Sequence, residues 1–105
     1  MADSYCMILT TTGTREEADG IADLLVSGKL AAGVQINEIA SCYTWKGKVN
    51  KKSEYLLKIM TATHLYDEVE SVVVENHSYE IPEVIQVPIT RGLAPYLEWI
   101  RENTR

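Results

Sequence analysis

The segment His77-Ser-Tyr-Glu-Ile-Pro-Glu83 sets a histidine, a tyrosine and two carboxylates close together. An imidazole beside carboxylates can hold a cation or poise a proton near neutral pH. The structural alternative is a histidine that caps a helix C-terminus, favoured by the helix dipole, in a tight loop set by Pro82. Structural sites also perturb histidines, so spacing alone favours the capping role. Tyr43-Thr-Trp45 puts two rings on one face of a strand, beside a basic turn. Such rings stack a planar ligand or, more commonly, pack in a core or interface. Lys46, Lys48, Lys51 and Lys52 either meet an anion or solvate a hairpin tip. Cys6 and Cys42 read as small buried thiols of a reducing compartment. Soft sulfur with His and Met suits Cu(I), although no spacing here requires it. His64 reads as a surface residue of a first helical turn. The sequence carries no Gly-rich phosphate loop, Gly-x-Ser-x-Gly, Cys-x-x-Cys or His-Glu-x-x-His. Arg15 follows the first strand, but the glycine-rich cradle of acylphosphatase-type chemistry is missing. The chain is therefore expected not to be an enzyme.

The elements that must position these residues follow from pattern. Tyr5 to Thr12 is β-prone and apolar at successive positions, a strand buried on both faces. Gly13 breaks it. Thr14-Arg-Glu-Glu17 fits a capping box, with Glu17 reaching back to the cap, and Ala18, Ile21, Ala22 and Leu25 follow at helical spacing. Gly28 suits a left-handed helix end. Ala31 to Trp45 is extended, Lys46 to Lys52 reads as a solvated loop, and Ser53 to Thr61 alternates as a strand, so the two strands form a hairpin. Thr63 is placed to cap a second helix with Leu65, Val69, Val72 and Val73 as its apolar stripe. Val84 to Ile89 is a short strand in which Pro88 demands an end or an edge. Gly92 and Pro95 introduce a terminal helix carrying Tyr96, Leu97, Trp99 and Ile100.

The order is βαββαβ plus one helix, a ferredoxin-like α+β sandwich. Right-handed crossovers put both main helices on one sheet face. The first, third and fourth strands are apolar on both faces, so the second face needs cover and a homo-oligomer is expected.

Composition bounds the partners. A chain of 105 residues, 46% hydrophobic and 24% charged, is one domain spanning residues 1–105. Fifteen acidic against ten basic residues give a net charge of -5, which argues against nucleic acid. Two cysteines cannot make a disulfide scaffold. No apolar run approaches the roughly 20 residues of a membrane span. Met1-Ala-Asp-Ser4 lacks the cationic start and apolar core of a leader, so the expected location is cytoplasmic, with no membrane partner.

Several separated motifs resemble the CutA divalent-cation tolerance family. They are Leu30-Ala-Ala32, Tyr43-x-Trp-Lys-Gly-Lys48, Glu54, His77-x-Tyr-Glu-x-Pro-Glu83, and Pro88-Ile-x-x-Gly92 followed by Tyr96-Leu-x-Trp-Ile100. The likeness covers nearly the whole chain. It implies a homotrimer in which long hairpins extend the sheets across subunits, with an architecture distantly similar to the PII signalling proteins. It implies a role in copper and other divalent-metal tolerance, with no established reaction and no obligatory cofactor. It also implies a cleft between subunits. Tyr43, Trp45, Glu54 and Tyr79 would line that cleft, and His77 and Glu80 would be the donors for copper or another divalent cation. The alternative is a PII-like sensor of a small organic or anionic ligand. The chain departs from the family pattern at Gly33-Val-Gln35, where Cys-Val-Asn is frequent, at Met60, where Lys is usual, and at Ser78, where Pro usually follows the histidine. Glycine has no side chain, so copper cannot be ligated at position 33.

Overall fold

The computed structural model describes residues 4–105, so most of the stretch on which the leader reading rests lies outside the described residues. The elements are β1 (Tyr5–Thr12), α1 (Arg15–Ser27), β2 (Gly33–Trp45), β3 (Lys48–Ala62), a 3-10 turn (Thr63–Leu65), α2 (Tyr66–Glu75), β4 (Ile85–Ile89) and α3 (Ala94–Glu102). The strands form one antiparallel sheet in the order β2-β3-β1-β4. The expected ferredoxin-like order with its added helix is thus observed, and Pro88 sits in an edge strand.

Alternation along the strands builds the core. Cys6 and Ile8 of β1 stand beside Thr61 and Ile59 of β3 on one face. There they meet the apolar stripes of α1 (Ala18, Ile21, Leu25) and α2 (Val69, Val73), with Leu65 just ahead of α2, all buried. Two amphipathic helices therefore close one side of the sheet, where burial of each large aliphatic contributes roughly 1.5–3 kcal/mol.

Local details differ from the sequence reading at four places. Thr14 caps α1 by accepting from the Glu17 amide, but the Glu17 carboxylate does not reach back to the cap. It accepts instead from the Ser78 amide and hydroxyl, at 2.9 and 3.1 Å. At the other end the left-handed residue is Lys29 (φ 58°), not Gly28. Gly28 is needed for room, since a Cβ there would lie 2.9 Å from the Leu24 carbonyl oxygen. Thr63 does not cap α2: a 3-10 turn intervenes, and Leu65 at the cap position makes no side-chain bond. Burial of Leu65 outweighs the missing cap. Finally, the expected loop from Lys46 to Lys52 is a two-residue turn, Lys46-Gly47, with φ of 51° and 78°. This is the type I′ geometry that matches strand twist, and the ladder resumes at Trp45 opposite Lys48.

That turn creates an arm. β1 ends where Thr12 faces Tyr55, so Lys48–Glu54 pair with β2 alone. At ~3.3 Å per residue the arm extends roughly 20 Å beyond the body, and the molecule measures 43 × 25 × 21 Å.

The second sheet face is partly covered by the chain itself. Met60 pairs with Met7 on one side and Gly33 on the other, all on the face away from α1 and α2. Trp99 of α3 lies over this corner, 3.1 Å from where a Cβ on Gly33 would be. Glycine at 33 thus makes space for an indole ring. Ile85, Leu93, Tyr96 and Trp99 remain exposed.

Candidate functional site

At the root of the arm lies a groove of about 720 Å³. β2 contributes Tyr43 and Trp45, β3 contributes Lys52 and Glu54, β1 contributes Thr11, and the loop between α2 and β4 contributes Tyr79 and Glu80. Five of the six residues singled out from sequence therefore meet in one place. The sixth, His77, stands behind them.

Glu54 is the buried centre, 6% exposed. The Tyr79 hydroxyl donates to its Oε2 at 2.7 Å. Burial alone would push this carboxyl up, yet hydrogen bonds from Ser41, Tyr79 and Thr11 and the Lys52 ammonium hold it below the ordinary value. Tyr79 moves the opposite way: burial, and after it the Glu54 charge, raise its phenol against the opposing Lys52. The phenol lies over Gly13, where a Cβ would come 3.2 Å from its oxygen, so Gly13 serves the site as well as the strand end. Burial first, and the Glu54 charge second, raise the carboxyl of Glu83 at the groove margin.

His77 is a fixed strut. Its side chain is fully buried. Nε2–H donates to the Thr11 carbonyl at 2.7 Å, and Nδ1 accepts from the Tyr79 amide at 3.2 Å. Glu17 Oε1 is 4.0 Å from Nδ1. The expected helix-capping role is thus replaced by a bond to β1, and the loop carrying Tyr79 is held by both His77 and the Glu17–Ser78 bonds. Among the described residues no three His, Cys, Asp or Glu side chains group as a metal ion would need. With both His77 nitrogens bonded to backbone, the donors of one chain do not fit a resident divalent cation.

Tyr43 and Trp45 are 37% and 38% exposed and alternate onto one face of the arm, as the spacing implies. Lys52 lies between rings: its Nζ is 4.3 Å from the Tyr79 ring centre and 5.7 Å from that of Tyr43. Lys46 sits 5.7 Å over Trp45. The contact with Tyr79 raises the Lys52 ammonium above its ordinary value. Cys6 is buried as expected, and burial pushes its thiol up. Cys42 is not buried: it is exposed and lines the groove, because the arm has no second layer to cover it. His64 is exposed, with Nε2 3.0 Å from the Arg105 carbonyl.

Sequence reasoning did not single out Lys52 from its neighbours, nor Thr11 or Ser41 as site residues; Glu83 entered only as the second carboxylate of the His77 segment, and Cys42 chiefly as a buried thiol. Placing the turn at Lys46-Gly47 fixes the register, and the register sets Ser41 beside Lys52 and Ile39 beside Glu54. That signal was available. The approach of Thr11 was not, since it arises from the β1–β3 pairing.

A four-stranded antiparallel sheet, two helices on one face, a third helix at the corner of the other and a grooved hairpin arm define an α+β domain of the ferredoxin-like class. Residues 6–103 match the CutA1 divalent ion tolerance protein family. The chain belongs to that family. It is 43% identical over 100 residues to Protein CutA, chloroplastic, of Arabidopsis thaliana, covering 94% of this chain and 55% of that protein. It is 39% identical over 99 residues to the divalent-cation tolerance protein CutA of Thermus thermophilus, covering 93% of this chain and 96% of that one. The structure of the periplasmic divalent cation tolerance protein CutA from Archaeoglobus fulgidus superposes with a TM-score of 0.94 at 37% identity, covering 96% of this chain and 99% of that one. The chain thus spans about half the length of the plant relative and nearly all of the Thermus one. Among the described residues no helix is long and apolar enough to cross a membrane.

Proposed function

We propose that this chain serves divalent-metal tolerance as a homotrimeric binding protein, not an enzyme, with the groove at the root of the arm as its ligand site. The observation that carries this reading is the convergence of Tyr43, Trp45, Glu54, Tyr79 and Glu80 on one groove. Its volume falls in the roughly 300–1,000 Å³ range of small-molecule sites. The trimer is supported by the open edge of β2, by the unpaired inner edge of the arm and by exposed Leu93, Tyr96 and Trp99. Edges and apolar patches of this kind call for cover. Binding is favoured over turnover because the histidine behind the groove has both ring nitrogens occupied by backbone groups. Copper or another divalent cation enters as cargo, with Glu80 as the exposed donor; His77 joins only by releasing Thr11 or Tyr79. Two unpaired cysteines support a reducing, cytoplasmic setting. A second reading, a PII-like sensor of a small organic ligand, is favoured by the rings of Tyr43 and Tyr79 at the groove.

Native mass spectrometry of protein purified without added metal gives subunit number and retained ligand together. A trimer is the expected result, and a monomer at micromolar concentration overturns it. Copper calorimetry on wild type, Glu80→Gln and His77→Ala assigns the cargo site: the expected loss is in Glu80→Gln, and equal weak heats in all three remove copper from the groove.

A further inference from the structure

Among the described residues that line the groove, Lys52 is the single cation, while Glu54, Glu80 and Glu83 all carry carboxyls. Even with Lys52 counted, the lining is acidic. Lys52 is exposed. Its ammonium is not placed as a free anion receptor: it stands over two tyrosine rings, at 4.3 and 5.7 Å. Those distances lie within the roughly 6 Å over which a ring face attracts a cation. A phosphate or carboxylate entering here would face three carboxyls and would have to draw Lys52 away from both rings. A metal ion is held here at most as transient cargo, since no three donors of one chain group around a common centre among the described residues. Rings backed by carboxyls suit an ammonium or guanidinium carried on an organic stem, and the Lys52 side chain is such a group.

We propose that this groove also receives an organic cation, a primary ammonium or guanidinium on a flexible stem, and that Lys52 occupies its place as a tethered competitor. The proposal rests on the groove being the binding site. Lys52 can leave because its four-carbon stem is flexible and the incoming cation replaces its contacts with the Tyr79 and Tyr43 phenols and with the Glu54 charge. The incoming cation takes over the faces of Tyr43 and Tyr79, with Glu80 and Glu83 at the margin. Glu54 keeps its hydrogen bonds from Ser41, Tyr79 and Thr11, and the incoming cation supplies the positive charge that Lys52 withdraws.

The two possible roles of Lys52 give opposite signs in one substitution. As a competitor, its removal strengthens binding; as an anion receptor, its removal abolishes binding. Calorimetry with 1,4-diaminobutane and, separately, citrate on wild type, Lys52→Met and Tyr43→Leu decides between them. The expected result is that diaminobutane binds wild type, binds Lys52→Met about tenfold tighter and binds Tyr43→Leu about tenfold weaker, in line with one or two ring contacts. Added salt should weaken all three. Both substituted side chains are exposed, and Lys52→Gln serves as a second variant if Lys52→Met does not fold. Citrate binding that is lost in Lys52→Met overturns the cation assignment while leaving the groove as a site. So does diaminobutane binding weakened by Lys52→Met. Binding of neither probe by folded wild type and folded Lys52→Met overturns the organic-cation proposal, whereas the groove reading itself falls only if the copper titration also fails.

Discussion

The body of the sheet and the arm that extends from it are made of the same two strands under different rules. In the body, Ile36 of β2 and Leu57 of β3 pair on the face that α1 covers, and Leu57 has no exposed surface. Along the arm the same strands and their turn carry Tyr43, Trp45 and four lysines from Lys46 to Lys52, and Val49 is 72% exposed. The backbone ladder is continuous through both. What changes is the second layer: helices cover one region and none covers the other. Hydrophobic burial fixes the body, while turn geometry and hydrogen bonding fix the arm and leave its side chains open to ligands.

That contrast is testable, beginning with the largest effect. Leu57→Ala should cost about 2–5 kcal/mol of stability by denaturant titration, as a buried truncation does, while any folded fraction keeps its groove. A loss below 1 kcal/mol would mean that the body is not where the stability resides. His77→Ala tests the joint between the regions. It leaves the Thr11 carbonyl and the Tyr79 amide without their partner, at about 1–3 kcal/mol, and hydrogen exchange should quicken from Ser78 to Glu83. Unchanged exchange there would show that the loop is held by Glu17 alone. Gly47→Ala acts only on the arm. Among the described residues no atom beyond its chain neighbours lies within 4 Å of the added carbon, but φ is +78°, so a cost of about 1 kcal/mol is expected from the backbone alone.

Glu54→Gln gives the smallest change and one whose size depends on pH. The folded carboxyl titrates below its ordinary 4.5. Its charge therefore stabilises the fold above that value, and the contribution is lost as the pH falls through the folded pKa. The stability gap between wild type and Glu54→Gln should be open at neutral pH and close under acid. A gap that widens on acidification would contradict the hydrogen-bonded carboxylate.

The body was legible in the sequence and the arm much less so. Ile21 and Leu25 in α1, and Val69 and Val73 in α2, announce helices because one face of each must be apolar. From Lys48 to Ser53 the arm has no buried face to impose alternation, so Lys48, Lys51 and Lys52 read as loop when they are strand. Tyr43, Trp45, Glu54 and Tyr79 were nameable as a set only through family resemblance, and the structure brings them together. The bond from His77 to Thr11 was beyond reach, since it joins a loop to a strand through a tertiary contact that no local pattern records.

That bond and its neighbour also bear on when the site comes into being. His77 to Thr11 spans 66 residues, and Ser78 to Glu17 spans 61. Closing loops of that length costs entropy that must be met before the contacts return anything. The hairpin, with its two-residue turn, closes by local contacts and forms early by comparison. The groove needs both the hairpin and the two long closures, so it cannot be complete before the two halves of the chain have met. A chain caught midway through folding can hold its arm and part of its core while having no site at all.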